Sequence, residues 1–240
     1  MDLTMDTVLL LHGFAATAGA WDAFSEQLDH ERYRPLAADL RGHGQNRSAR
    51  PISFELCVAD LLEFAPARFS VVGYSLGGRI ALQLALAAPE RVDRLVLVST
   101  TAGIEQSDER EARLVADLAL ADELEAEPID QFADSWLRGP LFCDDDAEVN
   151  EAARREILKN SPEDLACALR ALSVGRMEPL WARLGELSMP TTVVAGALDL
   201  RYVALAERLS RSIAQAELAI IDAAGHALAR SAPSQLAELL

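Results

Sequence analysis

The chain has 240 residues, half of them hydrophobic, and this length and composition suit one domain with a single large core. Its formal net charge is −16 at pH 7, and its isoelectric point is about 4.6. Because phosphate binding needs clustered cations, this charge argues against nucleic acid and against an anionic membrane surface as partners. Three cysteines without a CxxC spacing indicate neither a disulfide framework nor a zinc site, so no metal is expected.

The sequence carries no sign of a targeting or membrane segment. Residues 1–6 contain no basic region followed by a long apolar stretch, and no apolar run has the length of a membrane span. The odd number of cysteines fits a reducing compartment. We therefore expect a cytoplasmic protein, a monomer or a small homo-oligomer, whose partner is a small molecule rather than nucleic acid or a membrane.

Strand and helix patterns alternate along the chain. The predicted strands cover residues 7–11, 34–38, 69–73, 94–99, 191–196 and 217–222. The predicted helices cover residues 18–28, 53–65, 76–88, 202–213 and 232–240. Such alternation is typical of an α/β fold in which helices cover both faces of a mostly parallel sheet.

The first predicted strand ends in a His12-Gly13-Phe14 loop. A loop at this position supplies one half of an oxyanion hole in enzymes with a nucleophile elbow, and we expect the backbone N–H groups of Phe14 and Leu76 to be the two donors. His12, and His43 after the second strand, are expected to support their loops by hydrogen bonding rather than to take part in chemistry.

The third predicted strand ends in a GxSxG pentad, GYSLG at residues 73–77, and a helix pattern follows at once. In this context the serine occupies a strained turn above the sheet, where the glycines leave room for neighbouring backbone. Ser75 is therefore the candidate nucleophile. A glycine-rich strand end can also be a tight turn and nothing more, so the assignment depends on the residues that follow along the chain.

The alternation breaks between the fourth and fifth predicted strands. Helical spacing of Leu, Ala and Ile against charged residues recurs there, and no strand pattern is present. The helical segments cover residues 108–125, 128–138, 147–159 and 162–174. We interpret residues from about 102 to 189 as a helical cap inserted into a single domain of residues 1–240, a lid that would exclude water and select the substrate.

Two loops near the carboxyl terminus supply partners for the serine. Asp199 follows the strand at 191–196, and His226 lies in a glycine-containing loop after the strand at 217–222. The order serine, acid, histidine is that of the α/β-hydrolase fold, so we predict a triad of Ser75, His226 and Asp199.

Two other aspartates end strands and are alternatives for the acid. Asp39 precedes the serine and so comes too early in the order. Asp222 is so near His226 in sequence that a role in the turn is simpler. Asp199 remains the predicted acid of the triad.

Several motifs resemble those of one family with this fold. They are GYSLGGR at residues 73–79, SWL at 135–137, PLF at 140–142, LACALR at 165–170 and GRMEPLW at 175–181. Over nearly the whole chain they resemble the 2-succinyl-6-hydroxy-2,4-cyclohexadiene-1-carboxylate synthases of menaquinone biosynthesis. The resemblance implies a lyase that eliminates pyruvate from 2-succinyl-5-enolpyruvyl-6-hydroxy-3-cyclohexene-1-carboxylate. It implies no cofactor, and a triad serine that acts as a base rather than as an acylated nucleophile.

An anionic substrate of this kind needs guanidinium partners. Arg79 lies one helical turn after Ser75 and can face the cavity, although it can also be a surface arginine. The resemblance implies further substrate contacts at Tyr74, Arg113 and Trp136. Arg113 can equally pair with glutamates on its own helix, and a large aromatic residue on a helix is more often part of a core.

Other features leave alternatives open. The resemblance implies one more cation in the cap, for which Arg155 and Lys159 are the two candidates. The acid loop, GALDLRY at residues 196–202, departs from the family's usual GExD followed by Lys and Phe, although Arg201 and Tyr202 keep the charge and the ring. Two alternative functions are a serine hydrolase of carboxylic esters or carbon–carbon bonds, and a non-catalytic ligand receptor on the same scaffold.

Overall fold

The computed structural model describes residues 5–143 and 145–240. Residues 1–4 and Asp144 lie outside the described residues, so most of the segment 1–6, on which the expected location partly rests, is outside them as well. Its centre is a six-stranded sheet in which every neighbouring pair of strands is parallel. The strands are β1 (Asp6–Leu11), β2 (Tyr33–Ala38), β3 (Phe69–Tyr74), β4 (Val92–Val98), β5 (Thr191–Gly196) and β6 (Ala216–Ile221), in the order β2-β1-β3-β4-β5-β6. The predicted α/β architecture with a mostly parallel sheet is confirmed.

The helices alternate with the strands except in one long interval. They are α1 (Asp22–Ser25), α2 (Phe54–Phe64), α3 (Leu76–Ala87), α4 (Ser107–Ala126), α5 (Ile129–Leu137), α6 (Ala147–Ile157), α7 (Pro162–Leu172), α8 (Leu200–Ser212), α9 (Leu228–Ser231) and α10 (Pro233–Ala237). Within the described ranges, none of them has both the length and the apolar composition needed to cross a membrane.

Alternate residues of the strands pack against two different helical layers. Leu9 and Val71 belong to a buried cluster with side chains of α2, α3 and α8. Val8 and Val72, their neighbours in sequence, belong to a second cluster with side chains of α1, α9 and α10. Because successive side chains of a strand point to opposite faces, one sheet supports both layers. Each fully buried aliphatic side chain contributes about 1.5–3 kcal/mol to folding.

The interval between β4 and β5 contains α4, α5, α6 and α7, whose bounds lie within two residues of the four predicted helical segments. We call residues 102–189 the cap segment. Its helices share a third buried cluster, which includes Leu124 of α4, Phe132 of α5, Ile157 of α6 and Leu165 of α7. Ala15, from the loop after β1, belongs to the same cluster, so the cap segment packs directly on that loop.

Two predicted helices are shorter in the structure than the pattern indicated. The predicted helix at 18–28 is a 3₁₀ turn at Ala18–Trp21 followed by one turn of α1. The predicted helix at 232–240 is only α10, Pro233–Ala237, and a separate short helix, α9, ends just before it at Ser231. Pro233 begins α10, and a proline has no N–H group to continue the preceding helix, which explains the division.

Candidate active site

Ser75 occupies the turn between β3 and α3, in a backbone conformation that side chains rarely adopt. Its φ and ψ angles are 52° and −108°, and a non-glycine residue in such a region costs about 1–3 kcal/mol. The surrounding backbone is close, because a Cβ atom on Gly77 would lie 2.1 Å from the carbonyl oxygen of Leu11. This strained and tightly packed turn holds the Ser75 side chain at the carboxyl edge of the sheet, where it lines a cavity.

The imidazole of His226 connects Ser75 with Asp199. Its Nε2 atom lies 3.3 Å from Ser75 Oγ, and its Nδ1 atom lies 2.7 Å from Asp199 Oδ2. A proton on Nδ1, donated to the Asp199 carboxylate, leaves Nε2 to accept the proton of the serine hydroxyl. The side chains of His226 and Asp199 are only 2% and 10% exposed. The fold therefore brings the three predicted residues together in the arrangement of a nucleophile, a base and an orienting acid.

The two alternative acids do not reach His226 in the structure. Asp39 accepts hydrogen bonds from the backbone N–H groups of Ala18, at 2.7 Å, and Gln45, at 2.8 Å. These bonds hold the loops at Ala18 and Gln45, and Asp39 does not orient the imidazole of His226. Asp222 is exposed, and His226 directs its Nδ1 atom to Asp199 instead.

Gly196 allows the loop that carries His226 to cross the end of β5. A Cβ atom at this position would lie 2.3 Å from the carbonyl oxygens of both Ala224 and Gly225. The Leu198 N–H group donates to the same Ala224 oxygen at 3.0 Å. The contact between the acid loop and the histidine loop therefore depends on the absence of a side chain at Gly196.

We expect Gly196→Ala to slow covalent labelling of Ser75 by a fluorophosphonate by about 100-fold, because displacing the histidine loop by about 1 Å misaligns His226 with the serine. The measurement is the second-order labelling rate constant. Gly185→Ala is the matched control, since a Cβ atom there meets nothing within 4 Å. Equal labelling rates for the two variants would contradict this account of Gly196.

The predicted oxyanion hole lies beside the serine. Phe14 and Leu76 both line the cavity, and Leu76 is the first residue of α3. Within the described ranges, neither backbone N–H group donates to another protein group. The first N–H groups of a helix have no intrahelical acceptor, so the Leu76 group is available to a ligand oxygen.

Two buried histidines hold the loop of residues 12–15, which presents Phe14 and which we call the oxyanion loop. His12 donates from Nδ1 to the Gly13 carbonyl oxygen at 2.7 Å and accepts from the Leu40 N–H group at Nε2. His43 accepts from the Ala15 N–H group at 3.3 Å. Burial lowers the pKa of His12 to about 4 and that of His43 to about 3. Both side chains are therefore neutral at pH 7 and act as hydrogen-bonding supports.

A cavity of about 1200 Å³ opens above the triad, between the sheet edge and the cap segment. All nine residues predicted for the site line it. Trp136 of α5 is packed among aromatic side chains, with ring centres 5.6 Å from Phe14, 5.7 Å from Phe132 and 5.9 Å from Phe142. Trp136 is thus both a packing residue and a wall of the cavity.

Tyr74 lies beside the triad and is almost fully buried. Its ring centre is 5.3 Å from that of His226, and its ring is so close to Gly13 that a Cβ atom there would lie 2.7 Å away. Burial raises the pKa of the Tyr74 phenol above its usual range. Tyr74 therefore reaches the cavity as a neutral phenol that packs under the oxyanion loop.

Arg79 of α3 is a partly buried cation that lines the cavity. One of its Nη atoms donates to the Leu172 carbonyl oxygen at 2.9 Å. No carboxylate of the described residues forms an ion pair with it, whereas a buried charge is usually paired. Burial lowers the pKa of Arg79 to about 10, so the guanidinium remains charged at pH 7. Its unused donors are available to an anionic ligand.

Arg113 also lines the cavity, but it has a partner on its own helix. Its Nε atom donates to Asp117 at 2.8 Å, and the second oxygen of Asp117 accepts from Ser173 at 2.7 Å. The pairing residue is therefore an aspartate four positions later rather than an adjacent glutamate. Arg113 offers a ligand its Nη groups, with part of its charge already neutralised.

The two candidates for a further cap cation do not reach the cavity. Arg155 lies 3.7 Å from Glu151, and Lys159 lies 2.6 Å from Glu156. Both side chains are more than half exposed, and neither lines the cavity. Neither residue therefore serves as a third cation of this cavity.

Several residues at the site were not predicted as site residues. The ring of Tyr202 has its centre 4.5 Å from that of His226, closer than any other aromatic ring of the described residues. Thr100 donates to the Ser75 carbonyl oxygen at 2.7 Å and so supports the strained turn. Tyr202 follows Asp199 closely in sequence, and this position could have been used to predict it as a site residue. Nothing in the sequence pattern singled out Thr100.

The described residues contain no group of three or more His, Cys, Asp or Glu side chains arranged to hold a metal ion. The site itself offers an acid, a base and hydrogen-bond donors. A serine within reach of an oriented imidazole, next to free N–H groups, can transfer a proton or attack a carbonyl group.

Comparison with known proteins supports one family. The model of the alpha/beta hydrolase family matches residues 8–239. A 2-succinyl-6-hydroxy-2,4-cyclohexadiene-1-carboxylate synthase of Citrobacter koseri is 30% identical, over 97% of this chain and 91% of its own. A pimeloyl-[acyl-carrier protein] methyl ester esterase of Nitrosomonas europaea is 32% identical, over 95% of this chain and 91% of its own.

Among solved structures, MenH from S. aureus superimposes with a TM-score of 0.93 at 27% identity, over 99% of this chain and 93% of its own. The resemblance to the synthases that the motifs predicted is therefore confirmed. Since the family model covers nearly the whole sequence, the chain belongs to the alpha/beta hydrolase family.

Proposed function

We propose that this protein is a carbon–oxygen lyase that eliminates pyruvate from 2-succinyl-5-enolpyruvyl-6-hydroxy-3-cyclohexene-1-carboxylate to form 2-succinyl-6-hydroxy-2,4-cyclohexadiene-1-carboxylate. The observation that carries the proposal is Arg79, a partly buried guanidinium without a carboxylate partner among the described residues, in the same cavity as the triad. A charge in that position is stabilised when an anionic ligand is bound. The substrate proposed here carries three carboxylates.

The names of the relatives support the same reaction. The Citrobacter koseri protein is named as this synthase, and the structure of MenH from S. aureus superimposes with a TM-score of 0.93. The similarity extends over the cap segment as well as the sheet, since each comparison covers almost the whole chain. A shared cap favours a shared class of substrate, because the cap forms one wall of the cavity.

In the proposed mechanism His226, oriented by Asp199, accepts the proton of Ser75 Oγ, and the serine alkoxide removes the ring proton next to the succinyl carbonyl. The electrons of that bond form an enolate, whose oxygen accepts hydrogen bonds from the Phe14 and Leu76 N–H groups. Collapse of the enolate breaks the ring carbon–oxygen bond and completes the diene. The departing enolpyruvate takes up one proton and becomes pyruvate, so the proton balance is zero and no cofactor is needed.

The direct test is to mix the purified protein with freshly prepared substrate and to follow pyruvate release and diene absorbance together. We expect the two products to appear at the same rate, and much faster than in the spontaneous reaction. If neither product appears faster than without protein, the lyase proposal fails. Saturable binding without turnover would favour a ligand receptor instead.

Arg79→Ala is expected to raise KM in this assay by about 10- to 100-fold, because a charge-assisted hydrogen bond to a carboxylate contributes about 1.5–3 kcal/mol. The pKa of about 10 keeps Arg79 charged between pH 6 and 9, so the effect should not change over this range. Arg176→Ala is the control, since Arg176 is exposed and lies outside the cavity. An unchanged KM for Arg79→Ala would remove the main support for an anionic substrate.

A carboxylic-ester hydrolase is the second candidate, and one observation favours it. The Nitrosomonas europaea relative, 32% identical, is named as a methyl ester esterase. The triad and the free N–H groups beside Ser75 also suit acylation by an ester. Rapid hydrolysis of simple aryl esters, combined with no pyruvate release, would identify this function instead.

A further inference from the structure

One face of α8 forms a separate wall of the cavity. Arg201, Ala204, Leu205 and Arg208 line the cavity, and their spacing of three, four and seven residues places them on the same side of the helix. The first and the last of them are about 10.5 Å apart along the helix axis, at 1.5 Å per residue. This α8 face therefore has a cation at each end and small or apolar side chains between them.

The far end of the α8 face is closed by an ion pair. Arg208 donates to Glu105, in the loop after β4, at 2.5 Å. Its guanidinium carbon also lies 3.7 Å from the centre of the Trp181 ring, and Trp181 lines the cavity. The charge of Arg208 is thus neutralised, and the residue acts as an end wall.

The near end of the α8 face has a cation that is not neutralised. Arg201 follows Asp199 by two residues and is exposed. Among the described residues it has neither a hydrogen-bond acceptor nor an ion-pair partner for its side chain. Its neighbour Tyr202 packs on His226, so the first turn of α8 places Arg201 at the edge of the triad.

The other charges of the cavity leave room for a second anion site. Arg79 has no carboxylate partner among the residues that the structure describes, and Arg113 is partly neutralised by Asp117. The exposed Glu109 and Glu123 of α4 repel anions from that side. Arg155 and Lys159 do not line the cavity, so the cap offers no third cation at those positions. A ligand with more than one carboxylate therefore meets its second uncommitted guanidinium at Arg201.

We infer that the α8 face is a binding subsite for a short acyl chain that ends in a carboxylate, with the methylene groups against Ala204 and Leu205 and the carboxylate on Arg201. The identification of that chain with the succinyl group of the substrate rests on the proposed function; the subsite itself does not. A four-carbon keto acid chain has about the length of one helical turn, 5.4 Å, which separates Arg201 from Ala204 and Leu205. The Arg201 guanidinium acts here as a specificity residue.

The test uses a probe that carries only this chain, 4-oxo-4-phenylbutanoate, and its uncharged analogue butyrophenone. Binding is followed by tryptophan fluorescence, because Trp136 and Trp181 line the cavity. We expect Arg201→Gln to weaken binding of the keto acid by about fivefold and to leave butyrophenone unaffected, as for an exposed charge pair of about 1 kcal/mol. Arg211→Gln is the matched control, since Arg211 is exposed on the same helix and outside the cavity.

A second variant tests the shape of the subsite. Ala204→Trp should weaken both probes, because the indole fills the space between the two ends of the α8 face. Equal keto acid binding by Arg201→Gln and Arg211→Gln, or no binding by the unmodified protein, would overturn the subsite. If the probe depends on Arg201 but no pyruvate is released from the cyclohexene substrate, the subsite stands and the proposed lyase reaction fails. If both hold, Arg201→Gln should raise KM about fivefold with little change in kcat.

Discussion

Replacing Ser75 with alanine should lower kcat/KM for pyruvate release by about 10³-fold or more. The side chain is the group that faces the substrate in the proposed mechanism, and its oxygen lies 3.3 Å from His226 Nε2. Residues that act as a unit in proton transfer lose most of their effect when any one of them is removed. The measurement is single-turnover pyruvate release, which isolates the chemical step from product dissociation.

Two comparisons make the Ser75→Ala result specific. His226→Ala should cost a similar factor, and the double variant should be little worse than either single variant, because the serine and the imidazole act together. The thermal unfolding midpoint of Ser75→Ala should stay close to that of the unmodified protein, because alanine retains the same backbone conformation and the site is part of a rigid turn. Retained activity in Ser75→Ala would show that His226 acts on the substrate directly and that the serine has no role as a base.

The triad could be predicted from the sequence because a parallel sheet brings distant residues to one edge. Ser75, Asp199 and His226 lie 124 and 27 positions apart, yet each follows a strand, and the carboxyl ends of parallel strands meet. The order of the three residues then excluded Asp39, and the nearness of Asp222 to His226 in sequence favoured Asp199.

The cap cations that reach the cavity could not be predicted in the same way. Helical spacing placed the cap helices correctly, and each of these cations has a carboxylate three or four positions away, but spacing does not determine which side of a helix turns towards the cavity. Arg113 lines the cavity and is joined to Ser173, in the loop after α7, through Asp117. Arg155 and Lys159 instead pair with glutamates of α6, outside the cavity. The side of each helix that faces the cavity depends on how α4, α6 and α7 pack, which is a tertiary effect.

Acidification should destabilise the protein steeply between pH 6.5 and pH 4, because His12 and His43 are neutral and fully buried in the folded state. Burial is the main cause of their lowered pKa values, about 4 for His12 and about 3 for His43. In the unfolded chain a histidine has a pKa of about 6.5. The unfolded state therefore binds protons that the folded state does not bind.

The sign and size of the effect follow from proton linkage. Above pH 6.5 both states hold these imidazoles neutral, and the stabilisation is fully present. As the pH falls below 6.5, each histidine lowers the free energy of unfolding by up to about 1.4 kcal/mol per pH unit, or about 3 kcal/mol for the pair. The loss from each continues until the pH reaches its folded-state pKa, near 4 for His12 and near 3 for His43.

Urea unfolding at a series of pH values from 7.5 to 5 measures this slope. His43→Gln should reduce the slope of the unfolding free energy against pH by about half. It should also lower the free energy of unfolding at pH 7.5 by about 1–3 kcal/mol, because the Ala15 N–H group loses its well-placed acceptor. His30→Gln, which removes an exposed imidazole, is the matched control. An identical slope in the His43 variant and the control would show that the acid sensitivity comes from carboxylates elsewhere.

The location of these histidines also determines which part of the site is lost first. His12 holds Gly13, and His43 holds Ala15, the residues on either side of Phe14. Above pH 4 neither imidazole takes up a proton in its buried position, so each is protonated when the oxyanion loop opens locally and exposes it to water. We therefore expect labelling of Ser75 by a fluorophosphonate to decline at a higher pH than global unfolding. His43→Gln should shift the midpoint pH of Ser75 labelling and the midpoint pH of global unfolding by different amounts. If both signals report one global transition, the variant would shift the two midpoints equally.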